Sequence, residues 1–80
     1  MFTVYILQNQ VGKLYTGQTK NFETRLIEHN VTGHGYTAKH RPWKVVLMEK
    51  YQNRTEAMKR EKYLKTGAGR DWIKRQLLHV

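Results

Sequence analysis

Hydrophobic and polar residues alternate in two short segments at the start of the chain. The segment from Phe2 to Gln8 alternates with β-branched and aromatic residues and stops at a polar turn that contains Gly12. The alternation resumes from Lys13 to Thr19, so the pair predicts an antiparallel hairpin in which Gly12 takes a permissive backbone conformation. Strand side chains alternate in direction, so Tyr5 and Tyr15 are neighbours if the turn joins their faces.

A continuous apolar run predicts a third strand. Val45 to Met48 is uninterrupted and rich in β-branched residues within the segment from Trp43 to Tyr51. Such runs are typical of strands buried on both faces, so we predict that this strand is central in the sheet.

Polar capping residues mark the starts of the predicted helices. Asn21 begins a helix that reaches Asn30 and turns Phe22, Leu26 and Ile27 toward the core. The polar segment 31–42 reads as a loop with a short helical turn near residues 37–39.

Two further helices are predicted after the third strand. Asn53, with Glu56 three residues later, resembles a capping box, and Gly67 is expected to end that helix. Asp71 is expected to begin a last short helix. Its apolar residues would pack it back on the sheet; they are Trp72, Ile73, Leu77 and Leu78.

Length and composition set limits on the protein class. Eighty residues with 39% hydrophobic residues predict one domain, residues 1–80, of the α+β class, with a small three-stranded antiparallel sheet flanked by three or more helices. The absence of cysteine excludes a disulfide framework, a thiolate zinc site and a cysteine nucleophile. With no signal peptide or membrane span recognisable in the sequence, a cytoplasmic location is expected.

Charge points to the class of partner. Fifteen Lys and Arg against six Asp and Glu give a net charge of +9. On so small a surface this balance favours a polyanion, most commonly nucleic acid. The alternative is that excess lysine only keeps a small protein in solution.

Three ionisable residues occupy informative helix positions. At 100° per residue, Arg25 and His29 lie about 40° apart on the rim of the buried face of the first helix. Glu61 falls on the apolar stripe of its helix, within about 60° of Ala57, Met58 and Leu64. A carboxylate there needs a partner, because burying it unpaired costs several kcal/mol.

Two partners for Glu61 stay open on the residues alone. One is a salt bridge to Arg25 or to Lys65, one turn later. The other is a hard divalent cation, which takes one or two carboxylates and completes its shell with water and phosphate oxygens. No second acid is placed to build an all-protein metal cage, so a one-metal site fits better than a two-metal site.

These segments together resemble the GIY-YIG nuclease superfamily. Thr3-Val4-Tyr5 is similar to its GIY element, although Thr3 replaces the first glycine, and Tyr15-Thr16-Gly17 is similar to its YIG element. Residues 17–30, with Arg25, resemble the first helix of the family and its catalytic arginine. Residues 41–44 and 56–61 resemble the segment that leads to its metal-binding glutamate, which would be Glu61.

The resemblance spans residues 2–78 and is greatest to small single-domain bacterial members. It implies hydrolysis of phosphodiesters in DNA more than RNA, with one Mg²⁺ or Mn²⁺ held by Glu61. The catalytic residues would be Tyr5, Tyr15, Arg25 and His29, and the general base stays open among Tyr5, Tyr15 and His29. A phenol is a poor base at neutral pH, so a relay through His29 is attractive.

Residues expected to contact nucleic acid are spread over the chain. They are Gly17, Lys20, Asn30, Lys39, Arg41, Lys65 and Arg70. A protein partner or a homodimer would add specificity, and no contact with a membrane is expected. The competing hypothesis is a nucleic-acid-binding module of the same fold with little turnover.

Overall fold

The computed structural model describes residues 1–78, which form a three-stranded antiparallel sheet and four α-helices. The elements are β1 (Phe2–Asn9), β2 (Leu14–Thr19), α1 (Phe22–Ile27), α2 (Tyr36–Lys39), β3 (Trp43–Tyr51), α3 (Arg54–Leu64) and α4 (Gly67–Ile73). A π-helical turn, Glu28–Thr32, extends α1, and a second one, Lys74–Leu78, extends α4. The longest dimension is 31 Å. The predicted fold class is confirmed. None of these helices has both the length and the apolar character needed to cross a bilayer.

The first strand is the centre of the sheet, whose order is β2-β1-β3. Four consecutive residues of β1, Val4 to Leu7, are at most 1% exposed, so both faces of this strand are covered. The prediction that residues 43–51 form the central strand was therefore wrong. β3 lies at the edge, where Val45 and Met48 are 39% and 49% exposed.

A β-bulge explains the misleading apolar run in β3. Ile6 pairs with Leu47 and Leu7 pairs with Val45, which leaves Val46 as an extra residue. A bulge interrupts the alternation of side chains. Val46 and Leu47 consequently both pack against the same cluster, although they are consecutive in sequence.

Two apolar clusters lie on opposite faces of the sheet. On one face, Val4 and Ile6 pack against α3 and α4, whose buried contributions are Ala57, Leu64 and Ile73. On the other face, Tyr5, Leu7 and Trp43 pack with Tyr15, Phe22 and Leu26. Phe22 and Leu26 face the core as predicted. Ile27 does not, since it is 54% exposed.

Local hydrogen bonds confirm the predicted turn and two of the helix starts. Gly12 has φ +85°, and the Asn9 side chain accepts a bond of 2.8 Å from the Lys13 N–H inside the hairpin turn. Asn21 accepts from the Thr24 N–H at 3.2 Å and caps α1. Asn53 accepts from the Glu56 N–H at 2.9 Å and caps α3.

The connection between α3 and α4 differs from the prediction. Gly67 does not end α3 in a left-handed conformation but is the first residue of α4. The N-cap of α4 is Thr66, whose hydroxyl accepts a bond of 3.1 Å from the Gly69 N–H. Asp71 therefore lies inside the helix that it was expected to begin. Trp72, Ile73 and Leu77 pack on the sheet cluster as predicted, and the side chain of Leu78 lies outside the described part.

Two glycines in the first turn of α4 should respond differently to alanine. A Cβ at Gly69 would collide with the carbonyl oxygen of Tyr63 and lie 2.6 Å from the Cα of Leu64, whereas a Cβ at Gly67 meets nothing within 4 Å. We expect Gly69→Ala to lower the free energy of unfolding by about 1–3 kcal/mol. Gly67→Ala should leave it unchanged or slightly raised. Thermal denaturation followed by circular dichroism measures both, and equal melting temperatures would contradict this close packing.

Candidate active site

Tyr5 and Tyr15 lie side by side on one face of the sheet. Tyr5 pairs with Gly17 across the hairpin and Leu7 pairs with Tyr15, so the two phenols are diagonal neighbours. Their ring centroids are 6.3 Å apart. The register of the turn therefore joins the two faces, which is the condition under which the sequence makes the two phenols neighbours.

Gly17 leaves the space that the Tyr5 phenol occupies. A Cβ at position 17 would lie 2.7 Å from the Tyr5 hydroxyl and 2.9 Å from its Cζ. The sequence suggested that this glycine admits a nucleic-acid ligand. In the structure, the space beside Gly17 is filled by the Tyr5 side chain, which extends from β1 across β2.

His29 joins the tyrosine pair from the π-helical turn that extends α1. Its Nε2 is 2.8 Å from the Tyr5 hydroxyl oxygen. Its ring lies 4.7 Å from that of Tyr15, measured between centroids, and the residue is only 2% exposed. Tyr5, Tyr15 and His29, separated in sequence, thus form one cluster.

Arg41 holds the π-helical turn that carries His29. Its Nε donates to the His29 carbonyl at 2.8 Å, and its Nη2 donates to the carbonyls of Gly33 at 2.8 Å and Glu28 at 3.2 Å. The sequence predicted that Arg41 contacts nucleic acid. The structure directs this guanidinium to the backbone of its own chain.

Asn30 is likewise bonded within the protein. Its Nδ2 donates to the Trp43 carbonyl at 3.1 Å, and its Oδ1 accepts from the Trp43 N–H at 2.7 Å. The paired bonds fasten the π-helical turn to the start of β3. The predicted nucleic-acid contact of Asn30 would have to compete with both bonds.

Arg25 lies beside this cluster and faces an open cleft. Its Nη1 is 3.3 Å from Oε1 of Glu28, and its side chain is 43% exposed. The cleft has a volume of about 380 Å³. Its lining residues include Tyr15, Arg25, Glu28, His29, His34 and Tyr36. The predicted position of Arg25 and His29 on a cleft rim agrees with this arrangement.

Burial and charge shift the protonation of the cluster. Burial raises the pKa of Tyr5 to about 12, although a hydrogen bond with Arg25 acts in the opposite direction. Burial lowers the pKa of His29, and the positive charge of Arg25 adds to that effect. Desolvation opposes the charge of Arg25, yet hydrogen bonding to Tyr5, Glu28 and Tyr15 raises its pKa overall. At neutral pH the structure therefore favours a neutral phenol, a neutral imidazole and a charged guanidinium.

Glu61 reaches the surroundings of this cluster from α3. It shares a helix face with the buried Ala57 and Leu64, and its own side chain is 22% exposed. Of the two ion pairs considered from the sequence, the one with Lys65 is present, with Nζ 2.8 Å from Oε2. The raised pKa of Tyr5 comes mainly from burial, and the negative charge of Glu61 makes only the smallest of the contributions to it.

The donor set around Glu61 suits a weakly held hard cation. Residues 1–78 contain no group of three His, Asp or Glu side chains that could enclose a metal ion. A single, partly exposed carboxylate fits Mg²⁺ or Mn²⁺ that keeps several waters and takes phosphate oxygens from a substrate. Lys65 is 54% exposed and can swing away from Glu61 without disturbing the core.

A second groove begins on the other side of Tyr15. It has a volume of about 520 Å³, and Tyr15, Lys65, Arg70 and Lys74 are among its lining residues. Two of the residues predicted to contact nucleic acid, Lys65 and Arg70, therefore meet in one cationic groove. Lys20 lines a different groove, and Lys39 is exposed at the end of α2.

Comparison with known proteins identifies the family. The family described as "GIY-YIG catalytic domain" matches residues 1–74. The chain belongs to the GIY-YIG family. This is a family of nucleases, which act on nucleic acids and generally use a divalent metal. The resemblance found in the sequence is confirmed.

Relatives with the same small size occur in several bacteria. The chain is 43% identical to the UPF0213 protein SSP2268 of Staphylococcus saprophyticus over 65 residues, which are 79% of this chain and 78% of the relative. It is 45% identical to the UPF0213 protein SERP0126 of Staphylococcus epidermidis, with the same coverage. The solution NMR structure of the UPF0213 protein BH0048 from Bacillus halodurans superposes with a TM-score of 0.58. The superposition covers 94% of this chain and 84% of the Bacillus halodurans chain, with 28% sequence identity.

Sequence reasoning missed two aromatic residues of the GIY-YIG cleft. Tyr36 lines the cleft, and Trp43 lies beneath it with its ring centroid 6.2 Å from that of Tyr36. A tyrosine inside the polar loop 31–42 was the available signal. The sequence places Trp43 at the start of a strand and in the segment 41–44 that resembles the approach to Glu61, and it gives no sign that Trp43 packs against Tyr36.

The buried imidazole should make stability depend on pH. The folded-state pKa of His29 is lowered from its ordinary value of 6.5. The unfolded chain therefore takes up a proton first as the pH falls, and stability is lost below about pH 6.5 until the folded pKa is passed. Urea unfolding at several pH values measures this loss, and NMR titration of the His29 ring gives the pKa directly. His29→Gln should flatten that part of the profile, and a His29 pKa at or above 6.5 would contradict the burial.

Gly17→Ala should disturb the contact between Tyr5 and His29. The added methyl group would displace the Tyr5 phenol and lengthen its hydrogen bond to His29, because the hydroxyl lies 2.7 Å from the new atom. We expect overpacking to cost about 1–3 kcal/mol of stability and the NMR pKa of His29 to shift. Gly67→Ala is the control for a glycine-to-alanine change, since its Cβ meets nothing within 4 Å and its backbone is not in the left-handed region. An unchanged His29 titration in Gly17→Ala would show that Tyr5 does not depend on this glycine.

Proposed function

We propose that this protein is a metal-dependent endonuclease that hydrolyses phosphodiesters in branched, flapped or single-stranded DNA. The observation that carries the proposal is the 2.8 Å contact between Tyr5 and His29 at the wall of the cleft that Arg25 and Tyr15 line. A phenol, an imidazole and a guanidinium around one cleft can move a proton and bind an anion. Membership of the GIY-YIG family supports the reaction class.

Arg25 is the proposed phosphate ligand. Its guanidinium is charged and faces the cleft, and its planar donors match two oxygens of a phosphate. Its ion-pair partner is Glu28, at 3.3 Å in an exposed i,i+3 pair of a kind that contributes little to stability. A scissile phosphate can therefore replace Glu28 at small cost.

Tyr5 and His29 form the proposed proton path. A Tyr5 pKa raised to about 12 makes a phenolate base rare at neutral pH, so the phenol keeps its proton and stays hydrogen-bonded to Nε2 of the neutral His29. As water attacks phosphorus, its proton passes to the imidazole of His29, which lines the cleft and is held in place by the buried Tyr5 hydroxyl. The new P–O bond forms while the bond to the leaving 3′ oxygen breaks. That oxygen takes a proton from solvent, which gives 5′-phosphate and 3′-hydroxyl ends. Tyr15 would orient the water and the His29 ring.

Glu61 is the proposed ligand of one Mg²⁺ or Mn²⁺ ion. A bound divalent cation supplies charge that polarises the phosphate and stabilises the leaving oxygen. To bind it, Glu61 has to exchange the Lys65 ammonium, which then remains in the cationic groove with Arg70 and Lys74.

The cationic groove is the proposed path for the DNA backbone. Lys65, Arg70 and Lys74 line it, and it meets the cleft at Tyr15. Contacts from Lys20 and Lys39 would lie outside both concavities and add only to general attraction. A protein partner or a homodimer would supply further specificity. A DNA substrate also agrees with the cytoplasmic location expected from the sequence.

One observation favours the alternative of a binding module with little turnover. Glu61 is already paired with Lys65 at 2.8 Å, and a permanent pair would leave no ligand for a metal ion. In that case Glu61→Gln would leave nucleic-acid binding intact or tighten it, because it removes a negative charge near the cationic groove.

The decisive experiment is a cleavage assay on a panel of DNA and RNA structures with Mg²⁺ or Mn²⁺. We expect the wild-type protein to nick DNA, and Arg25→Ala and Glu61→Gln each to lower the rate at least about 100-fold, the usual cost of losing a group that stabilises transition-state charge. Glu56→Gln is the matched control, since it makes the same change at an exposed position of α3.

Three outcomes would contradict the proposal. Undiminished cleavage by both variants would show that Arg25 and Glu61 do not form the active site. Binding without cleavage of any substrate would favour the binding module. Cleavage of RNA alone would overturn the assignment to DNA.

A further inference from the structure

Tyr36 presents an exposed aromatic ring to the cleft. The residue is 48% exposed, although it lines the same cleft as Arg25, Tyr15 and His29. It is the first residue of α2 and follows Gly35, whose φ of +87° turns the chain sharply into this short helix. A large ring left half-exposed on a cleft wall calls for an explanation beyond packing.

The ring is held by neighbours that are themselves fixed. The centroid of the Tyr36 ring lies 4.6 Å from that of His40 and 6.2 Å from that of Trp43. Trp43 is buried, its Nε1 donates to the Thr37 carbonyl at 2.8 Å, and Asn30 bonds both sides of its peptide backbone. Tyr36 is therefore a rigid platform, which makes stacking on it cost little conformational entropy.

Tyr63 provides a useful contrast. It is 40% exposed, but the Arg60 guanidinium lies 5.5 Å from its ring centroid and forms a cation–π contact. Tyr63 belongs to α3 and lines neither the cleft nor the cationic groove. Of these two exposed tyrosines, only Tyr36 shares a concavity with the catalytic candidates.

We propose that Tyr36 stacks on an unpaired nucleobase next to the scissile phosphate, so that the substrate is DNA with a single-stranded segment at the cut. This inference rests on the proposed function, because Arg25 in the same cleft has to hold the phosphate. A base in a duplex already stacks on both neighbours and must be unstacked to reach an aromatic side chain. A base in a single strand meets no such barrier, and the cleft volume of about 380 Å³ is in the range of pockets that hold small molecules.

Equilibrium binding without a divalent metal tests this proposal separately from cleavage. The probes are a single-stranded DNA oligonucleotide that carries 2-aminopurine and a blunt duplex of the same sequence, both with EDTA present. We expect Tyr36→Ala to weaken single-strand binding about 5- to 150-fold, the range of one base–aromatic stacking contact, and to leave duplex binding unchanged. The wild-type protein should quench the fluorescence of 2-aminopurine, and Tyr36→Ala should not.

Further variants separate stacking from other roles of the side chain. Tyr36→Phe keeps the aromatic face and should bind as the wild type does. Tyr36→Leu keeps an apolar group against Trp43 but has no aromatic face, so it should behave as Tyr36→Ala does. Tyr63→Ala is the matched control and should change neither affinity.

The results that overturn the inference are specific. Equal loss of single-strand and duplex binding in Tyr36→Ala, full binding by Tyr36→Leu, or a Tyr36→Phe variant as weak as Tyr36→Ala would each exclude a stacking role. If the wild type cleaves DNA while Tyr36→Ala retains the single-strand preference, this inference fails and the proposed function stands. If stacking is found but no substrate is cleaved, the proposed function fails and the stacking site stands.

Discussion

Complete burial of β1 on both faces is the constraint on which the structure depends. The backbone groups at its two edges are hydrogen-bonded to β2 and β3. Val4 and Ile6 belong to one apolar cluster, and Tyr5 and Leu7 belong to the other. Tyr15 of the second cluster also lines the cleft, and Tyr5 contacts His29 in the wall behind it. Tyr5 is therefore a core residue and a candidate catalytic residue at once, and burial of its ring raises the pKa of its hydroxyl to about 12. The same packing that stabilises the sheet sets the chemistry of this phenol.

Hydrogen bonds from side chains to the backbone fix the segment between β2 and β3, where the helices are short. α1 has six residues and α2 has four, which is too short for either to be stable alone. Arg41 ties three carbonyls of the intervening turn, and Asn30 ties that turn to β3. His29 keeps its position because these two polar side chains hold the segment that carries it.

Most features set by neighbouring residues could be predicted from the sequence, although the cap of α4 at Thr66 was missed. Features set by distant contacts could not be predicted. The hairpin turn at Gly12 and the caps at Asn21 and Asn53 depend on a few adjacent residues, and they were found. The pairing of β1 between two strands and the bulge at Val46 depend on long-range packing, and they were missed. The same division holds in the cleft: side-chain types marked Arg25 and His29, but nothing in a local pattern shows that the Arg41 guanidinium faces backbone carbonyls.

The 31 Å longest dimension of the described chain limits how much nucleic acid one copy can contact. One turn of B-DNA is about 34–36 Å long. A single copy laid along a duplex therefore spans about one helical turn, and the cleft and cationic groove, which share Tyr15, occupy only part of that length. A footprint of this size contains too few base pairs to define a recognition sequence that is unique in a genome. When one copy acts alone, its selectivity has to come from the local shape of its target.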